Sequence, residues 1–199
     1  MPAAADLQPL RRAFYQRPTR RVARDLLGKL LVRKTGGEIS ILRLTEVEAY
    51  LGVVDPACHT FGGRRTPRTE VMWGEAGHAY VYFVYGMYHC LNAVTVGEGA
   101  PEAVLVRGGV PVAGGELMLA RRNGRKDAIA DGPGKLCQAL GIDRGDNGAD
   151  LCDPSSGLWV ATDGVLPPPS EVVELPRVGV AYAGDGAGWP LRFLWRPGR

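Results

Sequence analysis

Short apolar runs broken by glycine and proline recur along the chain and predict a strand-rich, loop-rich domain rather than a helical bundle. A first helix is expected from Thr19, read as its N-cap after Pro18, with Val22, Leu26 and Leu27 facing inward and Gly28 ending it. Leu30-Leu31-Val32 and Glu38 to Tyr50 read as strands joined by a turn at Thr35-Gly36-Gly37. Val53 to Glu75 has little periodicity and reads as a long ordered loop, a kind of segment that often carries function. Ala79–Val84, the tip Tyr85-Gly86-Met87-Tyr88 and Cys90–Val96 form a predicted β-hairpin, followed by a short strand at Val104–Arg107. Helices are expected at Gly115–Arg122 and Lys135–Leu140, and Leu158–Ala161, Arg177–Val180 and Leu191–Leu194 would complete the sheet.

Composition narrows the class. The chain has 199 residues, enough to bury a core, with 45% hydrophobic and 23% charged residues, as in a soluble globular domain. Its net charge of +3 is mild, but the arginines are clustered. Arg11, Arg12, Arg17, Arg20, Arg21 and Arg24 crowd the start; Arg64, Arg65 and Arg68 share one loop; Arg121, Arg122, Arg125 and Lys126 form another group. Any of these is either a solvated surface or a phosphate-binding face. Four scattered cysteines without a CxxC pair suit reduced thiols in the cytoplasm. Three histidines without metal-ligand spacing argue against a zinc site, and no apolar run has membrane-spanning length. The first residues, Met1 to Gln8, lack the apolar core of a secretion signal and read as a loose end.

The chemistry concentrates in Thr45-Glu46-Val47-Glu48-Ala49-Tyr50. Side chains alternate along a strand, so Glu46, Glu48 and Tyr50 project to one side. Carboxylates in an apolar strand must be paired, hydrogen-bonded or functional. Two such carboxylates lie about 6.5–7 Å apart at the backbone, at the low end of the separation of inverting glycosidases. They point in parallel, however, and cannot flank opposite sides of one bond, so one is expected to act and the other to support it. His59 follows nine residues after Tyr50, whereas His78 and His89 lack such company and read as structural. In the hairpin, Tyr80 and Phe83 read as core, Tyr82 as a wall able to stack on a flat heterocycle, and Tyr85 as an exposed tip able to wedge between bases. The loop Gly62-Gly63-Arg64-Arg65-Thr66-Pro67-Arg68 suits phosphate contacts. Gly132-Pro133-Gly134-Lys135 lacks the spacing of a phosphate loop and reads as a helix start whose N-terminus could meet one phosphate.

Six segments in order resemble the alkyladenine (3-methyladenine) DNA glycosylase family, over about residues 12 to 196. They are Ala23-Arg24-Asp25-Leu26-Leu27-Gly28, Thr45 to Tyr50, the Arg64–Arg68 loop, Val81 to Tyr88, Gly132 to Leu140, and Arg177-Val178-Gly179-Val180. The resemblance implies a single compact α+β domain over 11–199 behind a loose end at 1–10. Its curved, mostly antiparallel sheet would be flanked by helices, with a protruding hairpin that enters the DNA minor groove. It implies a monomeric enzyme that acts on chromosomal duplex DNA containing a damaged purine, and that needs no cofactor or metal. The enzyme would flip 3-methyladenine, 7-methylguanine, hypoxanthine or 1,N6-ethenoadenine out of the helix and hydrolyse the N-glycosidic bond. By the same resemblance Glu48 is the general base, with Arg107 and the Val178 backbone helping to hold the attacking water. Tyr50, His59 and Tyr82 contact the base, and Asn92 at the pocket floor limits its substituents. Tyr85, Met87, Arg64, Arg65, Arg68 and Lys135 contact DNA. Val53-Val54-Asp55 supplies no obvious partner for the His59 imidazole. Two other classes compete: an inactive nucleic-acid-binding module, which leaves Glu48 without a purpose, and a nucleoside hydrolase, which needs neither a wedge nor an arginine loop.

Overall fold

The computed structural model describes residues 7–125 and 128–196; Met1 to Asp6 and Lys126 of the third basic cluster lie outside them. In chain order the elements are β1 (Gln8–Pro9), α1 (Arg12–Tyr15), α2 (Thr19–Leu26), β2 (Leu30–Thr35) and β3 (Glu38–Tyr50). Then come β4 (Ala79–Val84), β5 (Tyr88–Gly97), β6 (Ala100–Ala113), α3 (Gly115–Arg121), α4 (Pro133–Leu140), β7 (Leu158–Thr162), β8 (Val172–Leu175) and β9 (Arg192–Trp195). The strands form one open antiparallel sheet in the order β1-β7-β2-β3-β6-β5-β4, with β9 joining β3 to β8. The result is a single compact α+β domain.

Strand β3 is the axis of the sheet. Strand β6 pairs along one edge from Ile41 to Tyr50. On the other edge β2 accompanies it up to Arg43, and β9 takes over at Glu46–Glu48. The β3–β6 register skips Thr45 on one strand and Arg107 on the other: Leu44 faces Gly109, Glu46 faces Gly108, and Val47 faces Val106. Such bulges re-aim side chains, and this one lies where Glu46, Glu48 and Arg107 converge. Helix α2 packs on β3, and α4 on β5 and β6. The central core includes Leu26, Leu27, Leu42, Leu44, Leu91, Leu136 and Leu140, all with no exposed surface.

Four expectations are corrected. The loose end is shorter than 1–10: Leu7 and Leu10 are buried, and Gln8–Pro9 pair with β7, so backbone pairing and apolar burial tie the chain down from residue 7. Pro18, not Thr19, caps α2; the buried Thr19 hydroxyl instead donates to Glu102 at 2.5 Å and meets Thr95 at 2.7 Å. The short strand at Val104–Arg107 is the middle of a 14-residue β6 that runs through Gly108 and Gly109. Glycine weakens a strand interior, but a Cβ on Gly109 would stand 2.8 Å from the Arg43 carbonyl oxygen, so close strand approach requires the bare backbone. Arg177–Val180 is not a strand; β8 lies at Val172–Leu175, because the Val178 N–H and the Arg177 side chain are committed to carboxylates rather than to a sheet.

Strand β6 accompanies β5 only from Asn92 to Gly97, so the β4–β5 hairpin projects beyond the sheet. Overpacking at a close strand approach is expected to make Gly109→Ala less stable than the parent by about 1–3 kcal/mol, read as a lower urea midpoint with an unchanged slope.

Candidate active site

Glu48 is the centre of the site. Its side chain is fully buried, and the Oε1 atom accepts the Val178 N–H at 2.8 Å while Oε2 accepts the Tyr50 hydroxyl at 2.9 Å. Arg107 Nε lies 3.4 Å from Glu48 Oε1 and donates to Glu46 Oε1 at 3.0 Å. Glu46 also accepts Arg192 Nη1 at 3.1 Å, so Glu46, Glu48 and Tyr50 do share one face of β3. Burial pushes the Glu48 carboxyl above its ordinary value; Arg107, the Val178 N–H and Tyr50 pull it back, and the charge of Glu46 adds to the rise. Glu46 is thus the anion that anchors two arginines, one of which reaches Glu48. Glu48 is the desolvated carboxylate of the pair.

The second layer hangs on Arg177 and Asp55, both fully buried as side chains. Arg177 donates to the two Asp55 oxygens at 2.5 and 2.8 Å, to the Ala49 carbonyl at 3.0 Å and to the Gly186 carbonyl at 3.2 Å. Asp55 in turn accepts the N–H groups of Leu51 and Ala57, each at 3.0 Å. The guanidinium also sits 4.7 Å from the Tyr50 ring centroid. One ion pair therefore holds the end of β3, the following turn, the backbone before Val178 and the segment Ala181–Gly188.

A cleft of about 520 Å³ is lined by Tyr50, Arg107 and Val178, the groups around the buried Glu48, and by Tyr82, Tyr85 and Tyr88 of the hairpin. A smaller cavity of about 40 Å³ adjoins it, with Asn92 in its lining. Asn92 is buried and donates to the Tyr80 carbonyl at 3.0 Å. His59 finds its partner in Tyr80, whose hydroxyl is 2.9 Å from Nδ1, and packs edge-on against Tyr82 with centroids 4.7 Å apart. Burial, and then the charges of Arg68 and Arg64, bring the His59 pKa down to about 4, so the imidazole is neutral at pH 7. Tyr80, pushed up to about 12 by burial, stays protonated beside it.

At the hairpin tip Tyr85 is 83% exposed with φ of 54°, next to Gly86 at 69°. A tyrosine in the left-handed region is strained by about 1–2 kcal/mol, and such strain concentrates at functional sites. Met87 and Tyr88 are also exposed. Phe83, read as core from sequence, is 38% exposed, because its strand parity turns it to the back of the hairpin, where it stacks on His89 and lies under Arg144.

The arginines divide into two kinds. Those at the start of the chain serve the fold: Arg12 pairs with Glu75 and Asp150, Arg17 and Arg21 with Asp25, and Arg20 and Arg24 with Glu174. Arg65 pairs with Glu70, and Lys135 at the cleft rim with Asp131, both on exposed surface. Arg64 and Arg68 line a further cavity beside His59 and have no carboxylate partner among the described residues; Arg68 lies 4.8 Å from the Tyr82 ring centroid. Sequence reasoning missed Arg177 with Asp55, the Tyr80 support of His59, Arg144 and Tyr182. Tyr182 lines all three cavities, and only an aromatic ring amid glycine and alanine at 181–188 could have drawn notice. Among the described residues no group of three or more His, Cys, Asp or Glu is placed to hold a metal ion.

A family model described as methylpurine-DNA glycosylase matches residues 13–198. A protein of Methanocella arvoryzae, provisionally named a 3-methyladenine DNA glycosylase, is 52% identical over 186 residues, covering 92% of this chain and 90% of its own. A relative of the same provisional name from Myxococcus xanthus is 50% identical over 183 residues, covering 92% of this chain and 87% of its own. Another from Streptomyces avermitilis is 48% identical over 195 residues, with 97% and 90% covered.

Removing one member of a buried ion pair strands the other, so Asp55→Asn is expected to lower stability by about 3–5 kcal/mol. Asp55→Leu combined with Arg177→Met should recover much of that loss in urea unfolding, since both charges then go.

Proposed function

The chain belongs to the methylpurine-DNA glycosylase family, a DNA-repair hydrolase by that membership, and from this premise we propose that it flips a damaged purine into the Tyr50–Tyr82 cleft and cleaves it with Glu48 as general base. The observation that carries the reading is the desolvated Glu48 carboxylate behind an aromatic cleft, oriented by Tyr50, Val178 and Arg107. Such a group is basic enough to take a proton from water, and its charge opposes the positive charge that develops on the sugar as the glycosidic bond breaks. Water would attack C1′ and leave an abasic site with the free base. Arg107 would hold Glu48 in place while Glu46 and Arg192 hold Arg107. The cleft does contain a lysine, Lys135, but it is an exposed cation tied to Asp131 rather than a desolvated amine, which favours hydrolysis over a Schiff-base lyase step.

The reading extends to the substrate. Tyr50, Tyr82 and the neutral His59 offer flat walls and one imidazole hydrogen-bonding edge, with Asn92 setting the depth. Cationic 3-methyladenine and 7-methylguanine leave readily, whereas hypoxanthine and 1,N6-ethenoadenine would need protonation. Tyr85, with Met87 beside it, would enter the minor groove and fill the gap left by the flipped nucleotide, as its exposure and strained backbone support. Arg64 and Arg68 would meet phosphates directly; Arg65 and Lys135 would exchange weak surface pairs for them. One copy of the chain contains every group invoked, so a monomer suffices.

Glu48→Gln should bind lesion-containing duplex yet release no base, measured by abasic-site cleavage on 3-methyladenine, hypoxanthine and 1,N6-ethenoadenine duplexes. For the parent, kcat/KM should rise with pH along a limb lying above the ordinary glutamate value of 4.5, because the base acts ionised. The sign for stability is opposite. A carboxyl raised in the folded state stabilises it when protonated and loses that contribution as pH rises through the raised value. Glu48→Gln should therefore gain thermal stability relative to the parent between pH 4.5 and 8; a marked loss at pH 8 would contradict the assignment. For the wedge, Tyr85→Gly should relieve the left-handed strain and raise the melting temperature while cutting excision from duplex DNA at least tenfold. Unchanged excision would remove Tyr85 from the mechanism.

A further inference from the structure

The cavity next to His59 is narrow, about 40 Å³ beside the cleft of about 520 Å³ that it adjoins. A purine seated there would press on its walls, so a wall that can give way matters. Most walls cannot. Met72, Tyr80 and Asn92 are buried, Tyr50 is tied to Glu48 and covered by Arg177, and His59 is bonded to Tyr80. Tyr182 is different: it lines this cavity, the DNA-facing cleft and the cavity beside Arg64 and Arg68, and it is 71% exposed. Its flanks are fixed, since Val180 and Ala183 are buried in a cluster with Ala57. The ring itself is held by one neutral hydrogen bond, from its hydroxyl to the Ala57 carbonyl at 3.1 Å.

We propose that Tyr182 is the movable wall of the lesion pocket: its hydroxyl holds the pocket closed against Ala57, yields to admit a flipped purine, and its ring then packs on the bound base. The inference rests on the reading that the cleft receives a flipped purine. It adds a base-contacting residue outside the Glu46–His59 stretch and makes pocket closure part of recognition. The backbone anchors at Val180 and Ala183 make this a side-chain motion, and the single neutral hydrogen bond makes it a low-barrier one. The Tyr85 phenol, near enough to add to the upward shift of the Tyr182 hydroxyl, puts wall and wedge at the same mouth.

The test is single-turnover release of 3-methyladenine from methylated duplex DNA by the parent, Tyr182→Ala and Tyr182→Phe, with free 3-methyladenine as a competing pocket ligand. Loss of a stacking ring should cut the maximal rate of Tyr182→Ala about tenfold and weaken inhibition by the free base to a similar degree. The DNA concentration at half-maximal rate should stay within twofold, because the DNA-facing arginines and the hairpin are untouched. Tyr182→Phe keeps the ring and should come within threefold of the parent. Rates and inhibition in Tyr182→Ala equal to those of the parent would overturn the proposal, as would a Phe variant as defective as Ala. Failure of free base to inhibit the parent would instead overturn the base-pocket reading, and this inference with it.

Discussion

The buried pair of Arg177 and Asp55 is the constraint on which the site depends. Neither side chain reaches solvent, and between them they bind the backbone at Ala49, Leu51, Ala57 and Gly186. A buried ion pair stabilises a fold little compared with well-packed apolar groups, because both charges lose their hydration. Its value lies in geometry. Bidentate contact with fixed donors and acceptors leaves four chain segments with one relative placement. Two of the segments supply Tyr50 and the Val178 N–H, the groups that grip Glu48. Orientation of the Glu48 carboxylate is thus set by a pair that does not touch it.

Charge is arranged around Glu48 with the same economy. Glu46 and Glu48 are both anions on one face of β3, yet Arg107 and Arg192 converge on Glu46, and Glu48 shares only the weaker edge of that network. One carboxylate satisfies the cations; the other is left buried, oriented and more basic than usual. Strand alternation brings Arg107 to that face, two residues along β6 from Leu105, which pairs with Glu48. The paired carboxylates therefore differ in kind: Glu46 anchors arginines, and Glu48 is the desolvated carboxylate proposed as the base.

The periphery follows a complementary rule. Arginines that pair with Asp or Glu hold elements of the fold together, whereas Arg64, Arg68 and Arg144 lie over aromatic rings or beside cavities near the hairpin, with no acidic partner among the described residues. A net charge of +3 hides this separation. These three cations leave unneutralised positive charge near the hairpin, which can attract a polyanion without requiring a strongly basic protein.

Much of this was legible in the chain itself. The alternation that places Glu46, Glu48 and Tyr50 on one face, the hairpin with its aromatic run, both longer helices and the strand-rich class all follow from local periodicity. The catalytic candidate and the candidates for base contact follow from ordered motifs. Other features had no local signature. Arg177-Val178-Gly179-Val180 looks like a strand, and only a carboxylate 130 positions away turns its N–H aside. Asp55 looks idle until Arg177 arrives from 122 positions along the chain. Phe83 looks like core, and Tyr182 looks like one aromatic among small residues. Periodicity records which side of an element faces the interior, since that depends on neighbours along the chain. Which charge meets which, and which ring borders a cavity, depends on segments brought together by folding, and only the tertiary structure decides it.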